Sequence, residues 1–250
     1  MARFFVDPSD ICDGTVTLTG DNAHHAAYSL RLAPGDHIDV CDQTTAYRCE
    51  LVAFDRESVT ARILQASPIR TEPPFAAHLY QALPKGDKLD TVIQKAVECG
   101  VSTVTPFESS RCIVRAKPEA ESRKTERRAR IAEEAAKQCG RGMIPTVHPT
   151  VSFAEALEQA SKADLVLFCY EGKDTSPLPH VLQNFLSHDQ PSGRVPDIAI
   201  FIGSEGGFSP EEVAAAIAHG CTPIGLGPRI LRTETASSFV LACLVYALEL

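Results

Sequence analysis

From residue 77 onward the chain alternates short apolar runs with longer amphipathic ones, and no other feature restricts the fold as much. Residues 77–83, 103–107, 164–170, 198–202 and 221–225 read as strands. Residues 88–100, 119–138, 152–163, 178–186, 210–219 and 235–249 read as helices between and after them. In 88–100 the apolar positions Leu89, Val92, Ile93, Ala96 and Val97 recur at helical spacing, and Gly100 follows as the terminator. Ser209-Pro210-Glu211-Glu212 is a helix start, with Ser209 as N-cap, Pro210 in the first turn and Glu212 completing a capping box. Repeated strand-then-helix order predicts an α/β fold, a mostly parallel sheet covered on both faces.

The first 70 residues have a different grain. Short strands are expected at 3–6, 15–19, 37–41, 47–54 and 59–64, with turn signals at Asp13-Gly14 and Pro34-Gly35, and their close spacing suggests a small barrel. The stretch Ser67-Pro68-Ile69-Arg70-Thr71-Glu72-Pro73-Pro74 interrupts both patterns with three prolines. A stiff, extended linker is expected there, dividing the chain into domains 1–72 and 73–250.

Composition narrows the partners. Taken whole, the formal net charge of −8 argues against a nucleic-acid partner, but the charge is uneven. Residues 1–74 carry −5, 75–141 carry +4 and 142–250 carry −7, and 111–141 alone hold ten basic and five acidic groups. That arm is either a solvated helix laced by i,i+4 pairs or a local surface for an anion. Nine scattered cysteines without a C-x-x-C pair fit reduced thiols better than disulfides or zinc, and the histidines show no metal-ligand spacing, so no metal is expected. No apolar stretch is long enough to span a membrane and the start does not resemble a signal peptide, so a cytoplasmic protein is expected.

Ligands of open parallel sheets bind beyond the carboxyl ends of the strands. Two such ends carry glycine-rich loops, Ile202-Gly203-Ser204-Glu205-Gly206-Gly207-Phe208 and Leu226-Gly227-Pro228-Arg229-Ile230-Leu231-Arg232-Thr233-Glu234-Thr235-Ala236. Neither matches a dinucleotide fingerprint or a P-loop. A ligand held by main-chain groups of both loops is compatible with them, as are plain strand-to-helix turns.

Together these two loops closely resemble the signature loops of the RsmE family, bacterial 16S ribosomal RNA uridine-N3 methyltransferases of the SPOUT superfamily. Glu134-Ala135-Ala136-Lys137-Gln138-Cys139-Gly140-Arg141 and Lys85-Gly86-Asp87-Lys88 look like further family motifs, and the resemblance runs over essentially the whole chain. Two departures are Ser204, where the family usually has proline, and Gly142-Met143, where it often has a polar and then a basic residue.

The resemblance implies a SPOUT-type sheet with a C-terminal trefoil knot, preceded by a small PUA-like, RNA-binding β-barrel. It implies S-adenosyl-L-methionine against Leu167, Phe168, Ile202, Gly203, Gly207, Leu226, Gly227, Ile230, Leu231, Arg232, Thr233 and Ala236. It also implies a homodimer acting on 16S rRNA or the small ribosomal subunit. Given that reaction, side-chain chemistry suggests Arg232 or Arg229 for charge developing on the uracil oxygens and Glu205 or Glu234 as proton acceptor. Glu205 bracing its own loop is the competing reading. Arg141 is expected to orient the substrate or bind phosphate, and Arg111, Arg115, Lys137 and Arg229 to contact RNA. The nearly all-apolar helix 237–248 needs cover on two sides, which fits a twofold partner. Two rivals stand beside this reading: a SPOUT ribose 2′-oxygen methyltransferase, and a non-catalytic RNA-binding assembly factor.

Overall fold

The computed structural model describes residues 1–187 and 194–250. The chain forms two compact units, one of Met1–Glu72 with Ala136–Ile144 and one of Pro73–Ala135 with Pro145–Leu250. The segment 136–144 therefore belongs with the first unit, an excursion that a single break at 72/73 does not contain.

The first unit is built on a six-stranded sheet. Its strands are β1 (Ala2–Phe5), β2 (Ile11–Cys12), β3 (Thr15–Thr19), β4 (His37–Cys41), β5 (Thr45–Phe54) and β6 (Ser58–Pro68), in the order β1-β4-β5-β6-β3-β2. All neighbours are antiparallel except β1 and β4. Period-2 alternation sends Val16 and Leu18, Ile38 and Val40, and Val59 and Ala61 inward to a core completed by Phe4 and Leu51. Between β3 and β4 the chain makes a short helix α1 (Gly20–His24) that runs into one π turn.

The second unit is an all-parallel sheet. Its strands are β7 (Ala76–Ala82), β8 (Thr103–Glu108), β9 (Thr146–Val147), β10 (Val151–Ser152), β11 (Leu165–Cys169), β12 (Ser176–Pro177), β13 (Asp197–Ile202) and β14 (Thr222–Gly225). The order is β10-β8-β7-β13-β11-β14-β12, with β9 also paired to β8. The helices are α2 (Lys88–Glu98), α3 (Pro118–Cys139, whose residues from Ala136 on belong to the first unit), α4 (Phe153–Ala160), α5 (Leu178–Ser187), α6 (Pro210–Ala218) and α7 (Thr233–Leu248). The central strands are near-continuous apolar runs because both faces are covered, and Ala199, Ile200 and Phe201 of β13 are fully buried.

Local chemistry starts and stops these helices. The α2 stripe Leu89, Val92, Ile93, Ala96 and Val97 is buried, and Gly100 ends the helix at φ +84°. At α6, Ser209 Oγ accepts from the Glu212 N–H (3.3 Å) and Glu212 Oε2 accepts from the Ser209 N–H (2.9 Å). Among the described residues no helix is long and apolar enough to cross a membrane.

Candidate active site at the carboxyl edge of the parallel sheet

The order β7-β13-β11-β14 puts four strand ends side by side, so the loops that follow them meet over one edge. They enclose a cleft of about 760 Å³, within the range of small-molecule sites. Its walls are the loop after β13, the loop between β14 and α7, and Cys169 to Gly172 at the end of β11. Below lies an aromatic cluster in which Phe168 and Phe208 have ring centroids 4.2 Å apart and Phe107, Phe153 and Phe201 complete the packing. Backbone conformation explains the two glycines that the loops cannot replace: Gly207 has φ +65° and Gly227 φ +98°.

A buried polar chain joins the loops. Thr233 Oγ1 donates to the Gly203 carbonyl (2.7 Å) and accepts from Gln81 Nε2 (2.8 Å), while Gln81 Nε2 also donates to the Ala82 carbonyl (3.0 Å). Gln81 is fully buried, so this chain ties the end of β7 and the start of α7 to the end of β13 in a low-dielectric setting. The Thr233 hydroxyl thus has both of its roles filled by protein. The signal of this chain in sequence is faint: a glutamine near the carboxyl end of a strand that also holds His78 and Tyr80.

Lys88, at the first turn of α2, is a second tie. Its Nζ lies 2.8 Å from Glu205 Oε1 and 3.7 Å from Glu234 Oε2, and Glu205 Oε1 also accepts from the Lys85 N–H (3.2 Å). Burial works against ionisation of Glu205, but the Lys88 ammonium and the Lys85 amide outweigh it and hold the carboxyl below its ordinary range. The hydrogen bond to Glu205 raises the Lys88 pKa in return.

Most of the expected site residues come together. Ile202, Gly203, Gly207, Leu226, Gly227, Leu231, Thr233 and Ala236 line the cleft, with Glu205, Arg229 and Arg232 around them. Ile230 also borders it but is 82% exposed, a rim position. The side chains of Arg229 and Arg232 are exposed and form no hydrogen bond or ion pair with a described residue. Buried atoms without a hydrogen-bond partner among the described residues cluster nearby: Ser204 Oγ, Gln81 Oε1 and Glu234 Oε2, the last with only the Lys88 ion pair at 3.7 Å.

Several placements correct the sequence reading. Leu167 and Phe168 are fully buried inside β11 and do not line the cleft, because Phe168 packs into the aromatic cluster and the wall begins at the next residue, Cys169. Glu234 stands behind the wall on α7. Arg141 is not an open cation. It is 6% exposed, and its Nε (3.0 Å) and Nη2 (2.5 Å) donate to Glu72 Oε2 within the first unit. Glu72 Oε1 accepts from the Gly142 N–H (2.9 Å). A Cβ on Gly142 would lie 2.5 Å from Ile69 Cγ2, so a larger residue there would require the Ile69 side chain to move. Arg115 donates to the Ser109 carbonyl (3.0 Å) and Arg111 to the Gly206 carbonyl (3.0 Å), while both remain exposed. Lys137 lies on α3, partly buried.

An α/β sheet with its cleft at the strand ends, joined to a small β unit, defines a class in which a second domain accompanies a loop-built ligand site. Comparison with known proteins makes the class specific. Residues 71–245 match the RNA methyltransferase domain and residues 18–64 the RNA methyltransferase PUA domain, and the chain belongs to this RNA methyltransferase family. A relative from Bacillus subtilis named ribosomal RNA small subunit methyltransferase E is 32% identical over 94% of this chain and 91% of its own. The protein of the same name from Synechocystis is 33% identical over 99% of this chain and 78% of its own. Among solved structures, a putative Legionella pneumophila methyltransferase with bound S-adenosylmethionine superposes with a TM-score of 0.84 at 30% identity, covering 98% of this chain and 97% of that one. A Neisseria gonorrhoeae ribosomal RNA small subunit methyltransferase E bound to S-adenosyl methionine gives 0.83 at 29% identity, with the same coverage.

Proposed function

We propose that this chain transfers the methyl group of S-adenosylmethionine to N3 of a uridine in 16S ribosomal RNA of the small ribosomal subunit. The observation that carries this reading is the cleft itself: main-chain groups of two glycine loops over an apolar floor, with two arginines at its edge that have no partner among the described residues. S-adenosylmethionine fits it in kind. Ile202, Leu226, Leu231 and Ala236 suit its apolar parts, and the peptide groups beside Gly203, Gly207 and Gly227 suit its polar atoms. When bound, it supplies an activated methyl group.

The chain's own residues do the rest. N3 lies on the Watson–Crick edge, so the base must be turned out of its stack to enter the cleft. Arg232 stabilises the negative charge that spreads onto the uracil oxygens as N3 loses its proton, with Arg229 holding the adjoining backbone. Glu205 Oε2, the oxygen that Lys85 and Lys88 leave unengaged, takes that proton. Its depressed pKa makes it a weak base, effective only while Arg232 renders N3 more acidic. Lys88 holds Glu205 in place, and the Gln81–Thr233–Gly203 chain holds the loops at working separation.

The reading includes a C-terminal knot, a twofold dimer and a cytoplasmic setting. Placement of β14 beyond β11, on the side away from β13, supports the first. The dimer is supported by α7, which buries Val240, Leu241 and Leu244 and leaves Phe239 and Tyr246 39% and 78% exposed. Incubation of purified small subunits with labelled cofactor, followed by nucleoside analysis, tests the function. Label in 3-methyluridine is expected, and label on a ribose oxygen, or none, overturns it.

A further inference from the structure

Apart from the C-terminal Leu250, the two most exposed large aliphatic side chains among the described residues are Ile230 (82%) and Ile113 (72%). They share a setting. Ile230 lies between Arg229 and Arg232 on the loop before α7, and Ile113 between Arg111 and Arg115 on the loop after β8. Both loops border the cleft, Ile230 directly and the other loop through Arg111. Neither 109–117 nor 226–233 contains an acidic residue, in a chain of net charge −8.

The loop after β8 is firmly braced. The Ser110 N–H donates to Glu212 Oε1 (2.6 Å), the Ala116 N–H to Glu108 Oε1 (2.5 Å) and the Cys112 N–H to the Ser109 carbonyl (3.1 Å). Cys112 is buried while its neighbour Ile113 is held out in water. A single exposed aliphatic is ordinary, but two of them, each flanked by arginines on braced or glycine-bearing loops at one cleft, form a candidate contact surface.

We propose that these loops are the two lips of an RNA-docking mouth. Their arginines meet phosphates, and Ile113 packs on the base faces exposed when the target nucleotide leaves its stack, with Ile230 doing the same from the opposite lip. The proposal rests on the methyltransferase reading and adds to it the groups that open the RNA. Polyanion chemistry favours RNA over a second copy of the chain, because a twofold contact through either lip would set arginines against their own images. Apolar side chains flanked by cations suit a distorted nucleic acid, since the cations hold the backbone while the side chain replaces lost stacking.

The test uses the full chain and a fluorescent hairpin RNA with 2-aminopurine next to a loop uridine. Wild-type protein is expected to raise the 2-aminopurine emission on binding. Ile113→Ser should bind at least ~10-fold more weakly and leave the emission low, and Ile113→Leu should restore both. Cofactor affinity by calorimetry and the sedimentation coefficient should be unchanged in both variants. Equal hairpin affinity for wild type and Ile113→Ser would overturn the lips, as would a changed sedimentation coefficient, which would make Ile113 a subunit contact. Because the readout is RNA binding, it stands apart from methyl transfer. A wild type that binds and opens the hairpin but methylates nothing would remove the proposed reaction and leave the lips in place.

Discussion

The two ends of the parallel sheet carry similar polar residues and treat them differently. At the amino end, His78 Nδ1 lies 2.9 Å from Thr103 Oγ1 and its Nε2 3.1 Å from Asp197 Oδ1. Arg194 reaches Asp197 (2.8 Å) and Asp164 (3.3 Å), and Asp164 Oδ2 accepts from the Asp197 N–H (2.8 Å). At the carboxyl end Arg229 and Arg232 have no partner among the described residues, and Ser204 Oγ is buried without a hydrogen-bond partner, while Glu234 Oε2 has only the distant Lys88 ammonium at 3.7 Å. A hydroxyl–imidazole–carboxylate array such as Thr103–His78–Asp197 resembles a catalytic relay on paper. Here its groups satisfy one another at the end of the sheet away from the cleft, where they serve stability. Surplus, rather than residue type, separates the working end from the structural one.

That contrast can be broken by substitution. The largest effect is expected at Arg232→Ala, which should lower methyl transfer by about 10²–10³-fold with the melting temperature unchanged; labelled-cofactor turnover and thermal denaturation measure the two. Normal turnover would remove Arg232 from the reaction. Thr233→Val keeps the shape of Thr233 and cuts the chain from Gln81 to Gly203. It should cost about 1–3 kcal/mol in urea unfolding, since it strands a buried amide, and should weaken cofactor binding, while Thr233→Ser retains both.

Lys88→Met tests the carboxylate tie. Glu205 loses the ammonium that lowers its pKa, so its protonation moves to higher pH and the acid limb of the turnover profile should shift upward. An unmoved limb would mean that Glu205 does not titrate in the reaction.

The smallest effect belongs to the amino end. Asp197→Asn should leave turnover alone and cost no more than about 1 kcal/mol, because a carboxylate that is 35% exposed is screened by water. The pH dependence has a definite sign. His78 and then Arg194 hold the Asp197 carboxyl below its ordinary range. Its contribution is therefore full above the unfolded pKa of about 3.9 and fades as pH falls through the lower folded value. Unfolding curves of wild type and variant should converge in strong acid. A loss of turnover in Asp197→Asn would dissolve the distinction between the ends.

Much of this was legible in the chain itself. Periodicity at 88–100, the capping box at Ser209 and Glu212, and the strand-helix alternation reflect forces between residues close in sequence, so local pattern suffices to read them. The glycine loops were legible for the same reason, since a positive φ at Gly207 or Gly227 is a local demand. Tertiary structure alone decided which charges were spare. Arg141 and Arg229 look alike in sequence, but Glu72 lies 69 residues from Arg141 along the chain and still takes its guanidinium, while nothing described reaches Arg229. Gln81 and Thr233, 152 residues apart, form their bond only because parallel strands bring distant ends to one edge. Pairing across such separations depends on the register of the folded sheet, which no window of local sequence contains.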